Sequence, residues 1–209
     1  MKEVLSKIKK DSIELIISDL DDTLVKNIAV SFFKSEFKKH PLKNLAFIAN
    51  TFYNLLKYAE YYPHHFSDFE IKQFDLYLDK YSSLDEVVEF VINNKENLIL
   101  KDAQEFLSYF PDTKKVLVTS DFKEIAELFK DDFQLDEIYA GIKYKDEAIR
   151  NIVNPKYHSV LVLGDSFKDL EMIFELKNEG IEPLSIFRSK DPEIKEYVSL
   201  EINSFYSLL

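Results

Sequence analysis

Four short segments of this 209-residue chain bring together residue types that can do chemistry. The first is Asp19-Leu20-Asp21-Asp22-Thr23. Side chains two apart on an extended chain point the same way, so Asp19 and Asp21 can converge on one small volume. Two carboxylates that close raise each other's pKa unless a cation intervenes. One can then stay charged as a nucleophile or metal ligand while the other keeps a proton to give. Read alone, the segment equally suits a turn at Asp21-Asp22 with Asp19 as a helix cap. The second segment is Thr119-Ser120, after the apolar run Val116-Leu117-Val118. A hydroxyl and backbone amides at a strand-to-helix turn can hold an oxyanion or a phosphate oxygen. Ser120, or Asp121 with Glu124 three residues on, equally suits helix capping.

The third segment offers a cation, with Lys143 and Lys145 as candidates at the start of a helical stretch. A lysine there would offset clustered carboxylates and the charge of a transferring phosphoryl group. Lys145 is favoured because Ala148, Ile149 and Ile152 follow it at the spacing of a packed helical face, and Lys143 is the alternative. The fourth segment is Gly164-Asp165-Ser166-Phe167-Lys168-Asp169. Its glycine suits a tight turn, and carboxylates at i and i+4 of the following helical turn face one side. Mg²⁺ prefers such oxygen ligands and keeps waters for substrate.

Composition limits what those residues can be for. With 27 Lys+Arg against 38 Asp+Glu, the net charge is −11, which argues against a protein that coats nucleic acid. The absence of cysteine excludes disulfides, thiolate metal sites and a cysteine nucleophile. No secretory signal or membrane-spanning run is visible, so the cytoplasm is the expected compartment.

Two textures alternate along the chain. Near-continuous apolar runs at 13–17, 116–118, 160–163 and 184–187 end abruptly in polar residues, and helix-like stretches at 122–130, 147–153 and 170–178 follow or separate the last three. Strands apolar on both faces belong to a parallel sheet covered by helices on each side, so the expected fold class is α/β with a doubly wound, Rossmann-like sheet. The four chemical segments sit where these strands end, which is where such sheets bind ligands.

Residues 26–100 read differently, as an all-helical insertion between core segments 1–25 and 101–209. A 3.6-residue apolar period over 44–62 stops before Pro63, and capping boxes at Ser67 to Glu70 and Ser83 to Glu86 place two helix starts. Asp102 to Glu105 has the same form and marks the return to the core. Half of the aromatic residues, 15 of 30, fall in this insertion. Phe32, Phe33, Phe37, Tyr61 and Tyr62 at helical spacing are core rather than pocket lining. His64 and His65 fit an exposed loop, and Lys34, Lys38, Lys39 and Lys43 a solvated helix face.

Taken together and in order, these segments resemble the motifs of the haloacid dehalogenase-like (HAD) superfamily of aspartate-nucleophile phosphohydrolases. The matching residues are Asp19-Leu20-Asp21-Asp22-Thr23-Leu24, Val116-Leu117-Val118-Thr119, a lysine within Gly141-Ile142-Lys143-Tyr144-Lys145, and Gly164-Asp165-Ser166-Phe167-Lys168-Asp169. The helical insertion is similar in place, length and helicity to the superfamily's C1 cap. Asp22 stands where many relatives have glycine, and the third motif lacks their Lys-Pro pair.

The resemblance implies a mechanism. Asp19 would attack phosphorus to form an aspartyl-phosphate, and Asp21 would protonate the leaving oxygen and then activate water. Thr119, with Ser120, and Lys145, or Lys143, would bind the phosphoryl oxygens. Mg²⁺ would be held by the Asp19 carboxylate, the Asp21 backbone carbonyl and Asp165, with Asp169 in support. Asp21 also separates phosphoryl transfer from dehalogenation, because a departing halide needs no acid. The implied substrate is a small phosphorylated metabolite, with no nucleic-acid or membrane partner and an open oligomeric state. A phosphomutase, or a non-catalytic phosphate-binding or regulatory protein on the same scaffold, is the alternative.

Overall fold

The structure, a computed structural model, describes residues 13–41, 66–153, 157–189 and 191–209, together with residues 8, 45 and 47. The chain divides into two compact units, Met1–Lys26 with Ile99–Leu209, and Asn27–Leu98.

In the first unit six parallel strands form one sheet: β1 (Leu15–Ser18), β2 (Lys114–Val118), β3 (Glu137–Tyr139), β4 (Val160–Gly164), β5 (Leu184–Phe187) and β6 (Leu200–Glu201). Their spatial order is β3-β2-β1-β4-β5-β6, so β1 lies in the middle, between β2 and β4. The reversal of strand order at β1 is the crevice position of a doubly wound sheet. Alternate residues of the central strands, Leu15, Ile17, Val116, Val118, Val160 and Val162, pack with Ala148, Ile149, Ile152, Met172, Ile173 and Leu176 in one buried cluster. The intervening residues Ile16, Leu117, Leu161 and Leu163 are also at most 1% exposed, so both faces of the sheet are covered. The sheet class and the four longer strands thus agree with expectation. The edge strands β3 and β6, three and two residues long, were not anticipated, because so few residues cannot display a two-residue period.

The second unit contains α1 (Ile28–Lys39), α2 (Phe66–Tyr81) and α3 (Leu84–Leu98) among the described residues. The Asn27 side chain accepts from Val30 N–H at 2.9 Å and starts α1. Ser83 and Glu86 form the expected reciprocal box at the start of α3, with bonds of 3.2 and 3.3 Å. Phe32, 1% exposed, meets Phe74, Tyr77 and Phe90 edge-on, and Phe33 meets Phe47 at 5.5 Å. Phe32 and Phe33 are therefore core, held by the offset aromatic geometry that ring quadrupoles favour. Lys34, Lys38 and Lys39 are exposed, and Lys39 pairs with Glu36 at 2.9 Å. Of the helix expected over 44–62, only Leu45 and Phe47 are described; Lys43, Tyr61, Tyr62, His64 and His65 lie outside the described residues.

The helices of the first unit are α4 (Lys101–Ser108), α5 (Lys123–Glu127), α6 (Lys145–Ile152) and α7 (Leu170–Asn178). The chain leaves and re-enters this unit at adjoining points: Val25 bridges Ile99, and Leu100 N–H donates to the Leu24 carbonyl at 3.0 Å. Asp102 corrects a sequence expectation. It does not cap α4, whose N-cap is Leu100 without a side-chain bond. Its carboxylate instead accepts from Ser204 Oγ at 2.5 Å, Phe205 N–H at 2.8 Å and Arg188 Nη2 at 2.8 Å. Arg188 also lies 5.8 Å from the Phe205 ring, which stacks on Phe106 at 4.9 Å, so this network ties the C-terminal turn to α4. No helix among the described residues is long and apolar enough to cross a membrane.

Candidate active site

Parallel register places the chemical segments together. β1 pairs with β4 through Ser18 and Leu163, and with β2 through Ser18 and Leu117, so the three strands end within one residue of one another. Asp19 N–H continues the ladder by donating to the Leu163 carbonyl at 3.0 Å. Asp19, Thr119 and Asp165 consequently emerge side by side at the carboxyl ends of the strands.

Lys145, at the first position of α6, is 2% exposed, and its Nζ lies 2.5 Å from Asp19 Oδ1 and 2.5 Å from Asp169 Oδ1. The start of α6 is held by Glu171 of α7, whose Oε2 accepts from Lys145 N–H at 2.8 Å. Farther along, Arg150 Nε reaches Glu175 Oε1 at 2.7 Å and fastens the same two helices together. Lys143, the alternative cation, is exposed with its Nζ 5.0 Å from the Tyr144 ring centroid, and does not join the cluster.

Asp169 is fully buried and uses both carboxylate oxygens. Oδ1 faces Lys145, while Oδ2 accepts from Asp165 N–H at 2.9 Å, Ser166 N–H at 2.9 Å and Ser166 Oγ at 3.0 Å. Burial pushes its pKa up, but Lys145 and these N–H donors outweigh that and hold it below the ordinary aspartate value. Carboxylate oxygens of Asp19, Asp165 and Asp169 lie within 4.8 Å of one another, a group able to hold a metal ion. Burial raises Asp19 to about 7 despite the nearby Lys145. Asp165 is raised well above the ordinary range, first by burial and then by Asp169 and Asp19. Burial would lower Lys145, but Asp169 and Asp19 overcome it and keep the ammonium charged. A buried anionic cluster with one cation is short of positive charge, which a hard divalent ion would supply through these oxygen donors.

Asp21 is half-buried, and its carboxylate is outside that three-acid group. The turn it begins is tight: Leu24 and Val25 N–H both donate to the Leu20 carbonyl, and Asp21 bridges Val25. Asp22 occupies the left-handed region at φ 54°, which explains why a glycine suits that position and why aspartate is tolerated there.

Thr119 is 2% exposed and Ser120 half-buried at the end of β2. The N-cap of α5 is Phe122 with no side-chain bond, so neither Ser120 nor Asp121 serves as the cap that their spacing suggested. Asp121 turns back on Thr119, its Oδ2 3.2 Å from the Thr119 hydroxyl. Sequence reasoning did not assign Asp121 to the site; its position two residues after Thr119 was the available signal.

This fold is that of the haloacid dehalogenase-like hydrolases. The chain superposes on the phospho-aspartyl intermediate analogue of phosphoserine phosphatase with a TM-score of 0.62 and 18% identity, covering 93% of this chain and 95% of that one. It superposes on YfnB of Bacillus subtilis, assigned as a HAD-hydrolase and bound to magnesium, with a TM-score of 0.58 and 14% identity, covering 95% and 97%. Against DsGPDH of Dunaliella salina the TM-score is 0.69 at 14% identity, all of this chain spanning 37% of that protein. No family sequence model matches the chain. No curated protein matches it either.

Proposed function

We propose that this protein is a Mg²⁺-dependent phosphohydrolase that cleaves small phosphate monoesters through an aspartyl-phosphate on Asp19. The observation that carries this reading is Lys145 Nζ bridging Asp19 and Asp169 at 2.5 Å each, inside a three-carboxylate group. Similarity to a phospho-aspartyl analogue and to a magnesium-bound structure supports it.

Asp19 attacks phosphorus, forming a carboxylate O–P bond as the ester P–O bond breaks. Asp21 gives its proton to the departing oxygen, then takes one from the water that cleaves the aspartyl-phosphate and releases inorganic phosphate. Thr119 and Lys145 hold phosphoryl oxygens, and Lys145 orients Asp19 for in-line attack. Asp19, Asp165 and the Asp21 carbonyl, with Asp169 in support, would hold Mg²⁺, which would supply positive charge against the transferring group. The helical unit Asn27–Leu98 is assigned the role of a C1-type cap on its place in the chain and its helicity. The substrate is a small phosphorylated metabolite.

Hydrolysis of p-nitrophenyl phosphate with Mg²⁺, abolished by Asp19→Asn, is the direct test. Turnover no greater than that of the variant, across several divalent metals, would sink the proposal. A panel of phosphorylated metabolites ranked by kcat/KM then identifies the substrate.

A further inference from the structure

Asp121 has no task in the chemistry above, yet its placement is closely determined. Its backbone N–H donates to Thr119 Oγ1 at 3.2 Å, and its own carboxylate Oδ2 lies 3.2 Å from that oxygen. Its carbonyl accepts from Gly141 N–H at 2.7 Å, and the Thr119 carbonyl accepts from Ile142 N–H at 3.1 Å. The turn after β2 is thus stitched to the turn after β3, and Asp121 cannot drift from Thr119. The charged groups that act on it come from three other elements: Asp19 after β1, Lys145 of α6 and Lys168 of the turn before α7.

The Thr119 hydroxyl has one proton and two lone pairs. The Asp121 N–H occupies one lone pair. If Asp121 is ionised, it accepts the hydroxyl proton, and Oγ1 has nothing to donate to a phosphoryl oxygen. If Asp121 carries a proton, Oδ2–H donates to the second lone pair, and the hydroxyl proton turns outward. No proton changes owner in that switch beyond the one taken up by Asp121 from solvent. An arriving phosphate dianion favours the protonated state, as like charge disfavours a carboxylate.

We propose that Asp121 is a positioning residue whose carboxyl group decides whether the Thr119 hydroxyl donates inward to Asp121 or outward to a phosphoryl oxygen. This inference rests on the reading of Thr119 as a phosphoryl-binding group. Burial raises the Asp121 pKa, against the Thr119 hydrogen bond, Lys145 and Lys168, and so brings the protonated state within reach.

The test compares wild type, Asp121→Asn, Asp121→Ala and Thr119→Val with Mg²⁺ present. Two readouts are taken across pH: KM and kcat for p-nitrophenyl phosphate, and calorimetric Kd for inorganic phosphate. The asparagine amide donates to Oγ1 at every pH, and alanine removes the titrating group. The KM of wild type divided by that of either variant should rise about tenfold from the acid to the alkaline end of the pH series, with kcat changing less. In a Thr119→Val background the same Asp121 substitutions should leave that ratio flat. A ratio that is flat with Thr119 intact, or that rises equally with and without Thr119, overturns the inference. If wild type does not hydrolyse the ester, the phosphatase reading fails, and the phosphate Kd ratio decides the role of Asp121 by the same criterion. Absence of phosphate binding at any pH overturns it as well.

Discussion

A methyl group on Gly164 would stand 2.6 Å from Cβ of Asp169 and 2.8 Å from its Oδ2. The glycine at the end of β4 is therefore required for space, so that Asp169 can fold back over the strand and meet Lys145. Gly164→Ala should shift Asp169 from Lys145 and from the Asp165 and Ser166 amides. Overpacking of this kind costs about 1–3 kcal/mol, read as a lower midpoint in denaturant unfolding, with loss of phosphatase activity. A variant with unchanged stability and activity would contradict the role given to this contact.

Lys145→Met removes the cation that bridges two buried carboxylates. Breaking a buried ion pair from one side costs about 3–5 kcal/mol, and in kinetics the loss of one preorganised donor costs on the order of a hundredfold or more in kcat. Mg²⁺ should restore part of the stability and none of the activity, a split measured by thermal unfolding with and without the ion beside the turnover assay.

The carboxylate group also makes stability depend on pH in a definite direction. Burial raises Asp19 from 3.8 to about 7, so folding takes up a proton there. Its contribution is fully present below the unfolded value of 3.8 and is lost as pH rises through about 7. Asp165, also raised, acts in the same sense. Metal binding must displace such protons, so the increase in Tm on adding Mg²⁺ should be larger at about pH 8 than at about pH 5. In EDTA at the higher pH, Asp165→Asn should be more stable than wild type while losing the response to Mg²⁺. Equal Mg²⁺ shifts at both pH values would refute the assignment of the metal to this cluster.

Asp102→Asn probes a network outside the reaction. Burial would raise Asp102, but the Ser204 hydroxyl, Phe205 N–H and Arg188 outweigh it and hold the carboxyl below its ordinary value. The substitution leaves Arg188 facing a neutral amide and should cost about 3 kcal/mol in chemical denaturation. KM for p-nitrophenyl phosphate should stay within about twofold at a temperature where the variant is folded.

The residue types at the strand ends, the sheet class and the start of α3 were legible because each depends on local pattern. Both-face apolar runs announce buried parallel strands, and Ser83 with Glu86 satisfies its own helix end. That Lys145 rather than Lys143 turns inward was also legible, since the apolar positions three, four and seven residues on orient the first turn of α6 inward. Asp102 and Asp121 were misjudged for one reason. Each has an acidic partner three residues on, the local signature of a cap, but their carboxylates found better donors elsewhere. For Asp102 those donors lie 86 and 102 residues away.

By itself, the sequence determined which side chains each element could offer and in which direction along that element. Only the tertiary structure decided which of them meet: Lys145 reaches Asp19 across 126 residues and Asp169 across 24. Spacing within a helix or strand is set by its own geometry, whereas separations of that length are closed by parallel register and by the packing of α6 on α7. The same holds for the Thr119 and Asp121 pair, whose turn is pinned by amides from the loop after β3.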